Sequence, residues 1–294
     1  MNVDDVKDLV CAEIDSKADR LITIAKEILK NPEPGFLEFK TAKTVAREFS
    51  SIGIPFEQSI GITGVKGTIV GGNPNGPNVA VMGELDSLKV LGHPHADSST
   101  SAAHACGHHC QIASMLGAMV GITVPEVQAA LSGRIVPFAV PAEELIDVEE
   151  RMRLRQKRKI EFMGGKQELI RLGEFDDVDM AMLCHTSVER SEFTLGGTSN
   201  AHVVKYVQFI GRGAHAGGAP HLGVNALNAA TFALSAINAN RETFREADVV
   251  RVHGIMTHGG EAVSAIPAAT NLEWRVRSAS LDALAASNAK VDRC

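Results

Sequence analysis

The residues best equipped for chemistry crowd into residues 102–115, AAHACGHHCQIASM. Three His and two Cys (His104, Cys106, His108, His109, Cys110) stand within seven positions there, just before an apolar helical run. Imidazole and thiolate are the usual ligands of zinc and its neighbours, and catalytic sites of that kind leave one position open for water. Cys106 and His108, two apart on a glycine turn, can address one ion. They could instead form a Cys–His nucleophile couple, but the adjacent carboxylates Glu143 and Glu144 would then go unused. Two ions about 3.5–4 Å apart can hold a hydroxide and a substrate carbonyl together, and such a pair needs about five protein ligands. Glu144 and His185 are candidates for two of them. Glu143 is then the general base that takes a proton from the attacking water and passes it to the leaving amine. Asp86 orients a ligand from behind or coordinates directly. His109 and Cys110 are assigned to packing or support, and Glu84 is a weaker candidate for the site than Asp86. His104 either orients the loop or fills the core. Arg275 and Arg277 share one strand face and could meet a substrate carboxylate bidentately.

These residues need elements to carry them. Helical periodicity runs over 4–30 until Asn31-Pro32-Glu33-Pro34-Gly35 stops it, and again over about 37–52 before Gly53-Ile54-Pro55. Strands are expected at 65–70, 78–83 and 132–140, with a GGNPNGPN turn between the first two and a helix over 108–121. The last two strands are near-continuous apolar runs, as in a sheet covered on both faces. Strand–helix–strand order signals an α/β fold whose ligands sit at the carboxyl ends of the strands. Glu84-Leu85-Asp86, Pro141-Ala142-Glu143-Glu144 and Cys184-His185 each follow an expected strand, the last one 179–183. The charged run 147–161 is read as a solvated surface segment. Met82, Met115, Met119, Met180 and Met182 are read as core filler.

After Ser191 the pattern changes to strand 201–211, helix 224–240, strands 249–257 and 270–277, and helix 280–290. That order is most of a ferredoxin-like split unit lacking its last strand. A first domain is therefore expected over 1–192 and a second over 193–294, in an α/β fold class whose second domain is ferredoxin-like α+β.

Composition agrees with a soluble globular protein. The 294 residues are 45% hydrophobic and 22% charged, with a net charge of -6. No clustered basic face suggests nucleic acid, and no apolar stretch reaches the roughly 18 residues of a membrane span. The acidic, amphipathic N-terminus and five Cys point to the cytoplasm and reduced thiols.

Taken together, Asp86, the AHACGHH run, the PAEE pair and His185 resemble, in order, the zinc-peptidase-like metallo-amidohydrolases: aminoacylases, carboxypeptidase G, and the indole-acetyl-amino-acid and aminobenzoyl-glutamate hydrolases. The HACGH form is similar to the branch in which Cys replaces a bridging Asp. GRGAHAGGAPHLGVNAL (211–227) and HGGEAVSAIPAATNLEWRVRS (258–278) resemble that family's smaller domain. The resemblance covers about residues 30–290 and implies a mixed-sheet, metallopeptidase-like catalytic metal-binding domain over 1–192 with an inserted ferredoxin-like α+β lid or dimerisation domain over 193–294, both incomplete. It implies a hydrolase of amide bonds in N-acyl amino acids or small dipeptide-like compounds, with two divalent ions (zinc, manganese or cobalt) and a homodimer. It also implies that His215 crosses to the partner's active site and steadies the oxyanion.

The sequence departs from the family in two places. Ser264-Ala265 stands before Ile266-Pro267 where the family has Asn, and the chain stops at Cys294, within the expected second helix of the insert. A fragment is therefore expected, and the alternative function is a truncated, catalytically inactive relative that binds metal or oligomerises.

Overall fold

The computed structural model describes residues 1–187, 193–196 and 199–294. The chain divides into two compact units, Met1–Arg190 and Ser191–Cys294. The boundary expected at 192–193 adjoins residues 188–192, which lie outside the described residues.

The first unit opens with helices α1 (Val3–Ser16), α2 (Ala18–Lys30) and α3 (Phe39–Ser51). Asn2 caps α1 reciprocally with Asp5: its side chain accepts from the Asp5 N–H at 2.8 Å, and the Asp5 carboxylate accepts from the Asn2 N–H at 3.1 Å. The expected helix 4–30 is thus two helices broken at Lys17, and both pack on the later helix over 108–122. That helix makes room with glycines: a Cβ at Gly121 would stand 2.6 Å from the Val10 side chain, and one at Gly117 3.2 Å from Leu21. A single straight rod could not follow that surface.

Strands β1 (Phe56–Ile60), β2 (Gly64–Gly67), β3 (Ile69–Val70) and β4 (Asn73–Glu84) follow, then a short antiparallel pair, β5 (Leu88–Lys89) with β6 (Ala102–Ala103). The expected turn at 71–78 is mostly strand: β4 begins at Asn73 and carries a register shift between Asn73 and Asn78 against the strand over 132–140. Close approach explains it, since a Cβ on Gly76 would come within 2.7 Å of the Gly133 backbone. Helix α4 (His108–Ile122) and the short α5 (Pro125–Ala130) lead into β7 (Ser132–Val140). Helices α6 (Val148–Gln156) and α7 (Gly165–Arg171) precede β8 (Met180–Leu183).

The mixed sheet runs β1-β2-β7-β4-β8, with β3 also on β7; β4 is parallel to both β7 and β8. Its core joins Ile24, Ile28, Val45, Phe49, Val65, Ile112, Met115, Leu116 and Met119. Met180 (54% exposed) and Met182 (59%) are not core filler, because β8 stands at the end of the strand order and all four of its residues are exposed. The charged run forms α6 and is not wholly solvated: Arg151 is 2% exposed.

The second unit has β9 (Ala201–Ile210), α8 (Ala226–Ala239), β10 (Arg251–His258), β11 (Ala269–Ser278) and α9 (Leu281–Asp292). The sheet is antiparallel in the order β10-β11-β9. Burial alternates strictly along β11, with Leu272, Trp274 and Val276 turned into a core shared with Ala230, Ile237 and Val291 of the helices. Among the described residues no helix is long and apolar enough to cross a membrane.

Candidate metal centre

The parallel strands end together. β4 stops at Glu84, β7 at Val140 and β8 at Leu183, and α4 begins at His108 behind a left-handed Gly107 (φ +90). The residues after each end converge on one rim.

His108 is buried, 1% exposed. Its Nδ1–H donates to the Asp86 carbonyl at 2.9 Å, with the Asp86 carboxylate 3.2 Å away, so the ring is fixed with Nε2 as the free nitrogen. His185 repeats the device: its Nδ1–H donates to the Thr186 carbonyl at 2.7 Å, and its Nε2 stands 3.3 Å from Cys106 Sγ. Donor atoms of Cys106, His108 and His185 all lie within 4.8 Å of one another. Thr186 ties the two loops, its hydroxyl donating to the Cys106 carbonyl at 2.9 Å. Glu144 lies against the Cys106 thiol. Its own N–H donates to the fully buried Asp86 carboxylate at 2.8 Å, so Asp86 positions one residue on each of two loops.

Glu143 is partly exposed, with a carboxylate oxygen 4.0 Å from His108 Nε2. Glu84, His108 and Glu143 form a second set of donors within 4.8 Å. Of the residues expected at a metal site, the fold therefore gathers Asp86, Cys106, His108, Glu143, Glu144 and His185. His215, Arg275 and Arg277 belong to the second unit. There His215 Nδ1 accepts from the Gly217 and Gly218 N–H groups at 3.2 and 2.9 Å. Arg275 and Arg277 sit on the face of β11 opposite Leu272, Trp274 and Val276, paired in register with His253 and Arg251.

Electrostatics follow from this crowding. Burial pulls the His108 pKa down, but Asp86, Cys106 and Glu84 outweigh it and hold the pKa well above the ordinary histidine range. Burial pushes Glu84 up, while His108 and Lys166 more than reverse this and bring it to about 2. His108 lowers the Cys106 pKa, but burial and Glu144 prevail and raise it. Burial and then the Glu84 charge raise Glu143, against the pull of Lys166. His104 is buried with neither nitrogen hydrogen-bonded; burial, then His109 and His108, depress its pKa to about 3, which fits core packing.

The donors suit a divalent ion. The buried His108 Nε2 has no hydrogen-bond partner, and each imidazole commits Nδ1 to a backbone carbonyl, which turns Nε2 toward the other donors. Thiolate, imidazole and carboxylate together match zinc and its neighbours.

Three contributors were not expected from the sequence, and a fourth, Glu84, was only a weak candidate. Glu84 (2% exposed) and Lys166 form an ion pair inside the rim. Arg151 donates to the Glu144 carbonyl and, at 2.7 Å, to the Met163 carbonyl. Glu38, fully buried, accepts from the Ala142 N–H at 2.7 Å and the Thr63 hydroxyl at 2.6 Å. A signal existed for Glu84 alone, two residues before Asp86 at the same strand end.

Comparison with known proteins follows the same lines. Residues 196–293 match a family model described as a peptidase dimerisation domain. The chain is 28% identical over 223 residues to the Xaa-Arg dipeptidase of Mus musculus, covering 75% of this chain and 44% of that protein. It is 26% identical over 273 residues to a p-aminobenzoyl-glutamate hydrolase subunit of Escherichia coli (strain K12), covering 90% and 52%. The chain thus spans about half the length of these curated relatives. Its fold is similar to that of an aminobenzoyl-glutamate utilization protein from Klebsiella pneumoniae (TM-score 0.68, 23% identity, covering 97% of this chain and 73% of that one). It is also similar to that of a Bacillus subtilis protein described as a dinuclear metal binding peptidase from the M20 family (TM-score 0.61, 20% identity, 95% and 69%).

Proposed function

We propose that the chain belongs to the M20 family of metallopeptidases and amidohydrolases and that it serves a hydrolase of amide bonds in N-acyl amino acids or small dipeptide-like compounds. The observation that carries this reading is the convergence of Cys106, His108 and His185, each imidazole with Nδ1 committed to a backbone carbonyl, beside the carboxylate of Glu143. The mouse and Escherichia coli relatives are both named for cleaving an amide-linked amino acid.

In this reading Cys106, His108, Glu144 and His185 hold two divalent ions, with zinc, manganese and cobalt the candidates. Such ions, when bound, polarise a substrate carbonyl and lower the pKa of water. Glu143 takes the proton of the attacking water and delivers it to the leaving nitrogen. Its partial exposure and its place on the same rim support that role. Asp86 fixes the His108 ring and the Glu144 backbone. The second unit dimerises, His215 reaches the partner's site to steady the oxyanion, and Arg275 or Arg277 takes the substrate carboxylate.

The test is hydrolysis of a panel of N-acyl amino acids and dipeptides by purified protein supplied with zinc, manganese or cobalt. Cleavage of at least one compound, abolished in Glu143→Gln with metal content intact, is expected. Cleavage that survives Glu143→Gln removes Glu143 from its role, and no cleavage of any compound removes the activity.

A further inference from the structure

Glu84 has no part in the reaction sketched above, yet it is among the most deeply placed charges of the rim. Its N–H donates to Gln111 Oε1 at 2.5 Å, and Gln111 Nε2 donates back to its Oε2 at 3.2 Å, so the carboxylate is fixed on the first turns of α4. Lys166 pairs with Oε1. The other oxygen, Oε2, faces His108 Nε2 at 3.0 Å without hydrogen-bond geometry. Because Nδ1 of that ring is committed to Asp86, Nε2 is the nitrogen turned to this carboxylate oxygen. A nitrogen and a carboxylate oxygen at that distance share a cation, a proton in the bare site or a metal ion in the loaded one, and Glu143 completes a donor set around the same point.

We propose that Glu84 is a direct ligand of the ion held by His108, and that Lys166 is the fixed counter-charge this ion must work against. The inference rests on the metal-centre reading above. His108 is common to the two donor sets, Cys106–His108–His185 and Glu84–His108–Glu143, and its free nitrogen can bind one ion. Glu84 therefore joins the ion that His108 and Cys106 address. The neighbouring Lys166 ammonium holds the Glu84 carboxylate in place and repels a second positive charge.

Zinc affinity measured by competition with a chromophoric chelator, and the absorption spectrum of the cobalt-loaded protein, test this without any turnover. Glu84→Gln is expected to weaken zinc binding by about tenfold or more. It should also change the ligand-field bands of cobalt while the sulfur-to-cobalt charge-transfer band persists. Lys166→Met is expected to bind zinc at least as tightly as wild type. Should Glu84→Gln fold poorly, Glu84→Asp, which keeps the charge but shortens the reach, is expected to weaken zinc binding while keeping the near-UV circular dichroism of wild type. Zinc affinity within about twofold of wild type and an unchanged cobalt spectrum in Glu84→Gln, or in Glu84→Asp where that variant is used, overturns the proposal but leaves the metal centre standing. No zinc binding by wild type, or binding indifferent to Cys106→Ser, overturns the centre itself and this inference with it.

Discussion

The Nδ1–H of His108 donates to the backbone carbonyl of Asp86 at 2.9 Å, a contact across 22 positions of sequence that fixes which face of the imidazole is free. The Asp86 carboxylate adds to this from 3.2 Å and also accepts the Glu144 N–H at 2.8 Å. Asp86→Asn keeps the backbone carbonyl and one side-chain acceptor but removes the charge. It should lower zinc affinity, or kcat/KM where turnover is measured, by about 10–100-fold, the usual consequence of losing support behind a ligand. Chelator competition and steady-state kinetics would show this, and unchanged values in both would dismiss Asp86 as a positioning group.

Arg151 is the second support for the Glu143-Glu144 loop. It is 2% exposed, donates to the carbonyls of Met163 and Glu144, and lies over the Phe36 ring at 5.5 Å. Burial lowers its pKa, and Asp86 and Glu38 oppose that. Arg151→Met leaves those acids and carbonyls unanswered, and a loss of about 3–5 kcal/mol is expected. Arg151→Lys should recover part of it, since a lysine keeps the charge but cannot fork. Urea denaturation gives both values, and a loss below about 1 kcal/mol for Arg151→Met would mean the charge network is not holding the loop.

Glu38 predicts a pH dependence of stability. Burial, then the nearby Asp86 charge, raises its pKa from 4.5 to about 7, against its hydrogen bonds from Thr63 and Ala142. Arg151, close to both acids, is the facing cation. A carboxyl with a raised folded-state pKa keeps its proton where the unfolded chain has lost it. The folded state thus binds more protons between pH 4.5 and about 7, and stability falls as pH rises through that window. The contribution is on the order of 3 kcal/mol. Glu38→Gln should gain on wild type between about pH 5 and about pH 8 in thermal or urea unfolding. A difference that stays constant with pH would show that Glu38 is charged throughout.

Most of the frame was legible because it rests on local pattern. The apolar runs 78–83 and 132–140, the helix after Gly107 and the β-α-β-β-α order after residue 200 all appear as elements, with ends moved by a few residues. The carboxyl-end rule then brought Asp86, Glu143, Glu144 and His185 to one rim from sequence alone. What stayed hidden depends on long-range contact. The Lys17 break is set by how α1 and α2 lie on α4. Arg151 sits in a run that looks solvated because charged residues dominate α6. Glu38 and Lys166 carry no local signature, since their partners Ala142 and Glu84 are 104 and 82 positions away. Met180 and Met182 read as core because hydropathy does not say which strand ends a sheet.

Gly107 separates Cys106 from His108 on the central turn, and its backbone is where the site is most exposed to a small change. Its φ of +90 lies in the left-handed region, and an added Cβ would overlap the Thr186 side chain. Thr186 in turn holds the Cys106 carbonyl at 2.9 Å, and its own carbonyl orients His185 at 2.7 Å. Gly107→Ala therefore meets two penalties: a backbone cost of about 1–2 kcal/mol, and a displacement of the segment that carries His185. Zinc affinity should drop along with stability, because Cys106 and His108 flank the changed residue. The double variant Gly107→Ala/Thr186→Ala removes the overlap but not the backbone cost, so it should regain part of the lost affinity. The two changes would then couple rather than add. A thermodynamic cycle of zinc dissociation constants for the four proteins measures that coupling, and simple additivity would mean that the turn and the His185 loop do not bear on each other through this contact.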